Sequence, residues 1–134
     1  MPDKAVIDAF FDEATFTITY LVSDPAQRRA AVIDPVLDYD HRSGKASTAS
    51  ADRVLAKARE RGVQVDWVLE THAHADHLTA APHIKAKTGA RVAIGEHIKE
   101  VQKIFKPVFG AEDVSGEGRE FDRLLRDGER LPLG

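Results

Sequence analysis

The feature that most constrains this chain is the run Thr71-His72-Ala73-His74-Ala75-Asp76-His77, set between a strand-like and a helix-like segment. Three imidazoles and a carboxylate fall between His72 and His77. Imidazole nitrogen and carboxylate oxygen are the ligands that borderline divalent metals take. Donors at this density need a seat that is exposed yet rigid, and a loop at the end of a strand supplies one. The preceding segment, Val63-Gln64-Val65-Asp66-Trp67-Val68-Leu69-Glu70, has the β-branched and aromatic content of a strand. The run reads as half of a metal site carried on an α/β scaffold.

His72 and His74 are two residues apart, so in extended backbone both side chains point to one side and can approach one ion. Asp76 and His77 are adjacent and diverge unless the loop turns between them. A turn there aims them at a second ion, or at the surroundings of the first. His72, His74, Asp76 and His77 can therefore serve two metals, or one metal with supporting hydrogen bonds, and spacing leaves both open. Asp34 ends a strand before Pro35. Its carboxylate can accept a hydrogen bond from a ligand histidine's free ring nitrogen, which fixes the tautomer and orientation of that imidazole. His83 and His97 lie on helix-like segments and read as solvated or capping groups, and His41 sits in a polar loop.

Taken in order, residues 5–12 read as a strand. Residues 15–22 alternate, with Phe16, Ile18, Tyr20 and Val22 on one face and threonines on the other. Residues 29–35 form a third strand, and short connections predict an antiparallel meander. Residues 36–47 read as a loop rich in Asp, Ser and Gly. A helix over 48–61 carries the apolar stripe Ala51, Val54, Leu55 and Ala58, with Thr48 or Ser50 as its cap and Gly62 as its stop. After the histidine run come a helix over 78–88 ended by Gly89, a strand over 91–94 and a helix over 96–105. Residues 106–118 read as loop and 120–130 as charged surface. Leu131-Pro132-Leu133-Gly134 reads as the approach to another strand.

A length of 134 residues is one domain's worth. The formal charge of −3 provides no electrostatic basis for binding nucleic acid or an anionic membrane surface. The absence of cysteine excludes disulfides and Cys-based zinc ribbons. Met1-Pro2-Asp3-Lys4 is followed by no apolar h-region, so no signal peptide is expected, and a cytoplasmic location is the default.

The order of elements together with Thr-His-Ala-His-Ala-Asp-His resembles the metallo-β-lactamase superfamily, in which H-x-H-x-D-H follows a strand of an αββα sandwich. Ile33-Asp34-Pro35 matches the family's aspartate beneath the metal site. Asp34-Pro35-Val36-Leu37-Asp38-Tyr39-Asp40 with Ser43-Gly44-Lys45-Ala46-Ser47-Thr48 looks like the bacterial persulfide dioxygenase branch, close to glyoxalase II. So does the stretch from Ile94-Gly95-Glu96-His97-Ile98 to Glu117-Gly118-Arg119-Glu120-Phe121.

The resemblance implies an α/β (α+β) fold, with residues 1–134 as the N-terminal half of a single metallo-β-lactamase-like domain. It implies a mononuclear non-haem Fe(II) enzyme that oxidises glutathione persulfide with O2 to sulfite and glutathione. The family's iron is held by two histidines and an aspartate. His72 corresponds to the first, while His74, Asp76 and His77 surround the centre, Asp76 and His77 being the candidate catalytic groups. In the related glyoxalase II-like hydrolases, which use zinc or mixed metals on a thioester, all four bind metal. The family's other iron histidine and aspartate lie in the second half of the fold. Completion by that half, or by another chain in a homo-oligomer, is therefore expected, because half a sandwich leaves an apolar sheet face uncovered. A truncated chain that binds metal weakly without catalysis is the non-enzymatic alternative.

Overall fold

The computed structural model describes residues 4–40, 42–71, 78–96, 98 and 121–133. Strands β1 (Val6–Asp12), β2 (Thr17–Asp24) and β3 (Arg29–Ile33) form the expected antiparallel meander. Strands β4 (Val36–Asp40) and β5 (Lys45–Ser47) follow, then helix α1 (Ala49–Arg61) and strand β6 (Gln64–Glu70). Strand β7 (Leu78–Thr79), helix α2 (Ala81–Thr88), and strands β8 (Arg91–Gly95) and β9 (Arg123–Leu125) complete the described elements. One sheet runs β1-β2-β3-β6-β8-β9, and a smaller one runs β5-β4-β7. From β3 onward the larger sheet is parallel, so β3, β6 and β8 end on the same side.

Both helices pack on one face of the large sheet. Ala51, Val54, Leu55 and Ala58 of α1 and Ala81 and Ile84 of α2 meet Leu21, Val32, Val65, Val68 and Val92 in one core. The stripe read from the sequence is thus the buried stripe of α1. Val65 and Val68 are three residues apart yet share this face, because the pairing with β3 skips Asp66. That extra residue is a β-bulge, and its carboxylate meets Arg29 at 3.0 Å. Gly62 ends α1 in left-handed backbone, as the sequence predicts.

The opposite face is covered unevenly. Ala31, Trp67 and Ala93 are buried there, with Leu69, Leu125, Leu131 and Leu133 packed around them. Toward β1 and β2 the face opens: Ile7 is 64% exposed, Phe11 55%, Phe16 82% and Ile18 41%. Phe16 and Ile18 belong to the apolar alternation of residues 15–22, but the residues buried on β2 are Thr19, Leu21 and Ser23. A contiguous exposed apolar patch marks a surface on which further structure packs.

Four expectations need correction. Residues 36–47 are a hairpin of β4 and β5 rather than a loop, turned at Gly44 with a φ of 70°. Its polar composition hid a strand whose Val36 is buried and whose partner β7 is distant in sequence. Leu78 and Thr79 are strand rather than helix, because they pair with Leu37 and Val36, and α2 begins at Ala81. Within residues 120–130, the segment Arg123–Leu125 is a strand paired with β8. Neither Thr48 nor Ser50 caps α1 with its hydroxyl. Instead Asp38 of β4 accepts the Ser50 N–H at 2.7 Å and the Ser50 hydroxyl at 2.6 Å, a tertiary cap that local sequence does not reveal. Residues 131–133 form no strand of their own, and Leu131 and Leu133 cover the cluster around Trp67. Of the helix over 96–105, only Glu96 and Ile98 lie among the described residues, and Ile98 is helical and buried.

Candidate metal centre

The histidine run leaves the carboxyl end of β6, a central strand of the large sheet. In parallel sheets this is where loops converge on ligands. His72, His74, Asp76 and His77 lie outside the described residues, as do His41 and His97. What is described is the frame on which that run is mounted.

Asp34 is the centre of the frame. Ile33 pairs with Leu69 in parallel register, so the chain leaving β3 lies beside the chain leaving β6. The Asp34 N–H donates to the Leu69 carbonyl at 3.0 Å, and the buried Thr19 hydroxyl donates to the Asp34 carbonyl at 2.8 Å. Between these anchors Asp34 adopts a φ of 52°. Left-handed backbone costs a non-glycine residue about 1 kcal/mol, less for Asp, whose short polar side chain can bond locally. Such strain persists only where the surroundings over-determine it. Here it turns the carboxylate onto Thr71: one oxygen accepts the Thr71 N–H at 2.8 Å and the other accepts its hydroxyl at 2.7 Å. Thr71 immediately precedes His72.

The next three residues hold the other end of the run. The carbonyl of buried Pro35 accepts the Ala80 N–H at 3.1 Å, while Val36 and Leu37 pair with Thr79 and Leu78. Asp34-Pro35-Val36-Leu37 is therefore a bracket that grips both ends of residues 72–77. The sequence marks Asp34 as a support beneath the metal. The structure assigns it the entrance of the loop, and its expected imidazole partner falls outside the described residues.

Two anchoring residues escape sequence reasoning. Thr71 is read only as the residue before the motif. Glu70 is read as the end of a strand, yet it is only 6% exposed, and its carboxyl accepts a hydrogen bond from the Thr79 hydroxyl. Thr79 in turn accepts the Ala81 N–H at 3.1 Å, the hydroxyl-to-backbone turn that Ser and Thr make at helix starts. That turn chemistry was the available signal.

His83 stands apart from this frame. Its Nε2 lies 2.8 Å from Asp52 across α1 and α2, and this pairing, with the Thr48 hydroxyl, holds the Asp52 carboxyl below its usual value. Among the described residues no cluster of three or more His, Cys, Asp or Glu could hold a metal ion. The candidate donors His72, His74, Asp76 and His77 lie outside those residues. Three imidazoles and a carboxylate on a loop gripped at both ends suit zinc or Fe(II). No helix among the described residues is long and apolar enough to cross a membrane.

Comparison with known proteins agrees with this geometry. The chain is 49% identical over 129 residues to a probable metallo-hydrolase of Burkholderia pseudomallei, a match spanning 96% of this chain and 44% of that protein. It is 38% identical over 71 residues to the human mitochondrial persulfide dioxygenase ETHE1, covering 53% of this chain and 24% of the relative. The crystal structure of ETHE1 from Myxococcus xanthus superimposes with a TM-score of 0.56 at 35% identity, over 66% of this chain and 34% of that one. The chain thus spans less than half the length of these relatives. The pattern of the Metallo-beta-lactamase superfamily matches residues 14–133, nearly the whole sequence. With its mixed sheet, its helical layer on one face and its histidine loop at the end of β6, the chain belongs to the metallo-β-lactamase superfamily.

Proposed function

We propose that this chain carries one half of the metal centre of a non-haem Fe(II) persulfide dioxygenase, acting on glutathione persulfide. The observation that supports it most is the two-ended bracket around residues 72–77, in which Asp34 holds Thr71 and Pro35 holds Ala80. Such a mount holds both ends of the run, the kind of support that a centre with open positions needs. When bound, the iron supplies coordination of substrate and O2 and the redox chemistry between them. The reaction balances with one water: the outer sulfur loses four electrons, O2 gains four, water supplies the third sulfite oxygen, and the thiol is released as glutathione.

In this reading His72 holds the iron, and Asp34 fixes the backbone from which His72 projects. His74, Asp76 and His77 orient groups around the centre, with Asp76 and His77 placed to hold or move protons. The remaining ligands come from polypeptide packed on the open face bearing Ile7, Phe11, Phe16 and Ile18, either the second half of the fold or another copy. A soluble thiol persulfide is the partner, and a cytoplasmic setting fits it.

A second reading, a zinc-dependent thioester hydrolase of the glyoxalase II type, is favoured by the 49% identical relative's description as a probable metallo-hydrolase. Metal content per chain, with intact mass on the same sample, separates the two when combined with oxygen uptake on glutathione persulfide. Iron with substrate-dependent oxygen uptake supports the dioxygenase. Zinc near two per chain, with thioester hydrolysis and no oxygen uptake, overturns it. Negligible metal and no turnover assign this chain to the non-catalytic alternative.

A further inference from the structure

Glu70, buried at the end of the large sheet, and Thr79, exposed on the smaller one, flank the histidine run. Glu70 is the last residue of β6 and Thr79 the last of β7, and the run connects the two strands. A buried carboxyl is costly unless it is hydrogen-bonded, and at Glu70 the Thr79 hydroxyl provides a bond. A hydroxyl has one proton to give. Because Thr79 accepts the Ala81 N–H, its proton is directed to Glu70, and the bond ties strand, loop exit and helix start together. A valine of the same shape could pack at position 79 but could complete neither bond.

We infer that Glu70 and Thr79 are a positioning pair that locks the exit of the histidine loop and thereby sets its metal affinity. It complements the Asp34–Thr71 lock at the entrance, and it rests on the reading of residues 72–77 as a metal loop. With both locks closed, Thr71 and Thr79, on either side of the run, are held in place before an ion arrives. With the exit released, the ion must pay for ordering the loop as it binds. Neither residue needs to touch the ion.

The test uses the full chain, Zn2+ alone as probe, and the variants Thr79→Val and Thr79→Ser. Zn2+ affinity is read by chelator competition, and amide exchange of the metal-free protein is read at Ala80, whose N–H bonds Pro35 rather than Glu70 or Thr79. Thr79→Val is expected to weaken Zn2+ binding about 10- to 100-fold, the range seen when supporting partners of metal ligands are removed. It is expected to speed Ala80 exchange, with Ile84 exchange serving as the folding control. Thr79→Ser, which keeps the hydroxyl, should restore both. Wild-type affinity in Thr79→Val, or equal losses in both variants, would overturn the pair. If the wild-type chain binds no Zn2+, the metal-loop reading fails by itself, and unchanged Ala80 exchange in Thr79→Val would sink the lock as well.

Discussion

The Asp34 carboxylate accepts both the backbone N–H and the hydroxyl of Thr71, at 2.8 and 2.7 Å, across 37 positions of sequence. The two residues sit at the ends of neighbouring parallel strands, so their meeting joins the β3 exit to the entrance of the histidine loop.

Asp34→Ala should therefore remove both bonds to the exposed Thr71, at a cost of about 0.5–1.5 kcal/mol. Asn tolerates left-handed backbone and keeps an acceptor for the Thr71 N–H. Asp34→Asn should then lose less than half as much. Urea unfolding of both variants checks this, and equal losses would mean that the carboxylate charge, which both variants lack, governs the position rather than the backbone turn or a neutral acceptor for Thr71.

His72→Ala is expected to abolish iron binding, because it removes a ligand in either reading. His77→Ala separates the readings: a hydrolase should lose one metal per chain, whereas a dioxygenase should keep its iron and lose turnover. Elemental analysis of the purified variants decides between them, and stoichiometric iron in His72→Ala would refute the ligand assignment.

Stability should fall on acidification. The Arg61 guanidinium holds the Asp8 carboxyl below its ordinary 3.8, and Lys85 with the Val92 N–H does the same for Asp122. A carboxyl with a depressed folded value contributes stability that is present above its unfolded value. That contribution is lost as pH falls through the folded value. The loss should thus begin near pH 4 and deepen below it. Asp8→Asn and Asp122→Asn should each remove at most about one proton from the slope of stability against pH. Unfolding curves taken from pH 6 down through and below the ordinary carboxylate range would show it; parallel curves for wild type and variants would contradict it.

The open face makes a contrasting prediction. Ile7→Lys and Phe11→Lys should change stability by less than about 0.5 kcal/mol, as substitutions at exposed positions do, and should reduce binding of an apolar dye. Leu21→Ala, on the fully buried helix-side face, should cost about 2–5 kcal/mol. A large loss in Phe11→Lys would show that this face is already covered in solution.

Much of the scaffold was legible because its signals are local. Period-2 alternation located β2, the stripe from Ala51 to Ala58 located α1, and Gly62 and Gly89 ended the helices in left-handed backbone. The hairpin of β4 and β5 was not legible, since β4 is held by β7, which lies on the far side of the histidine run. The cap of α1 was missed for the same reason: Asp38, 12 positions upstream, supplies it. The alternation of residues 15–22 indicated a strand without revealing which face is buried, because both faces carry side chains that can pack.

The sequence by itself determined that three histidines and an aspartate crowd together after a strand, and which superfamily the chain belongs to. Each of these rests on the identity and short-range spacing of side chains. Tertiary structure alone decided how the donor loop is gripped. Parallel pairing of β3 with β6 brings Asp34 to Thr71, pairing of β4 with β7 closes the loop's exit, and burial of Glu70 gives Thr79 its acceptor. Such contacts join residues far apart in the chain, and only the register of the sheets sets which of them meet.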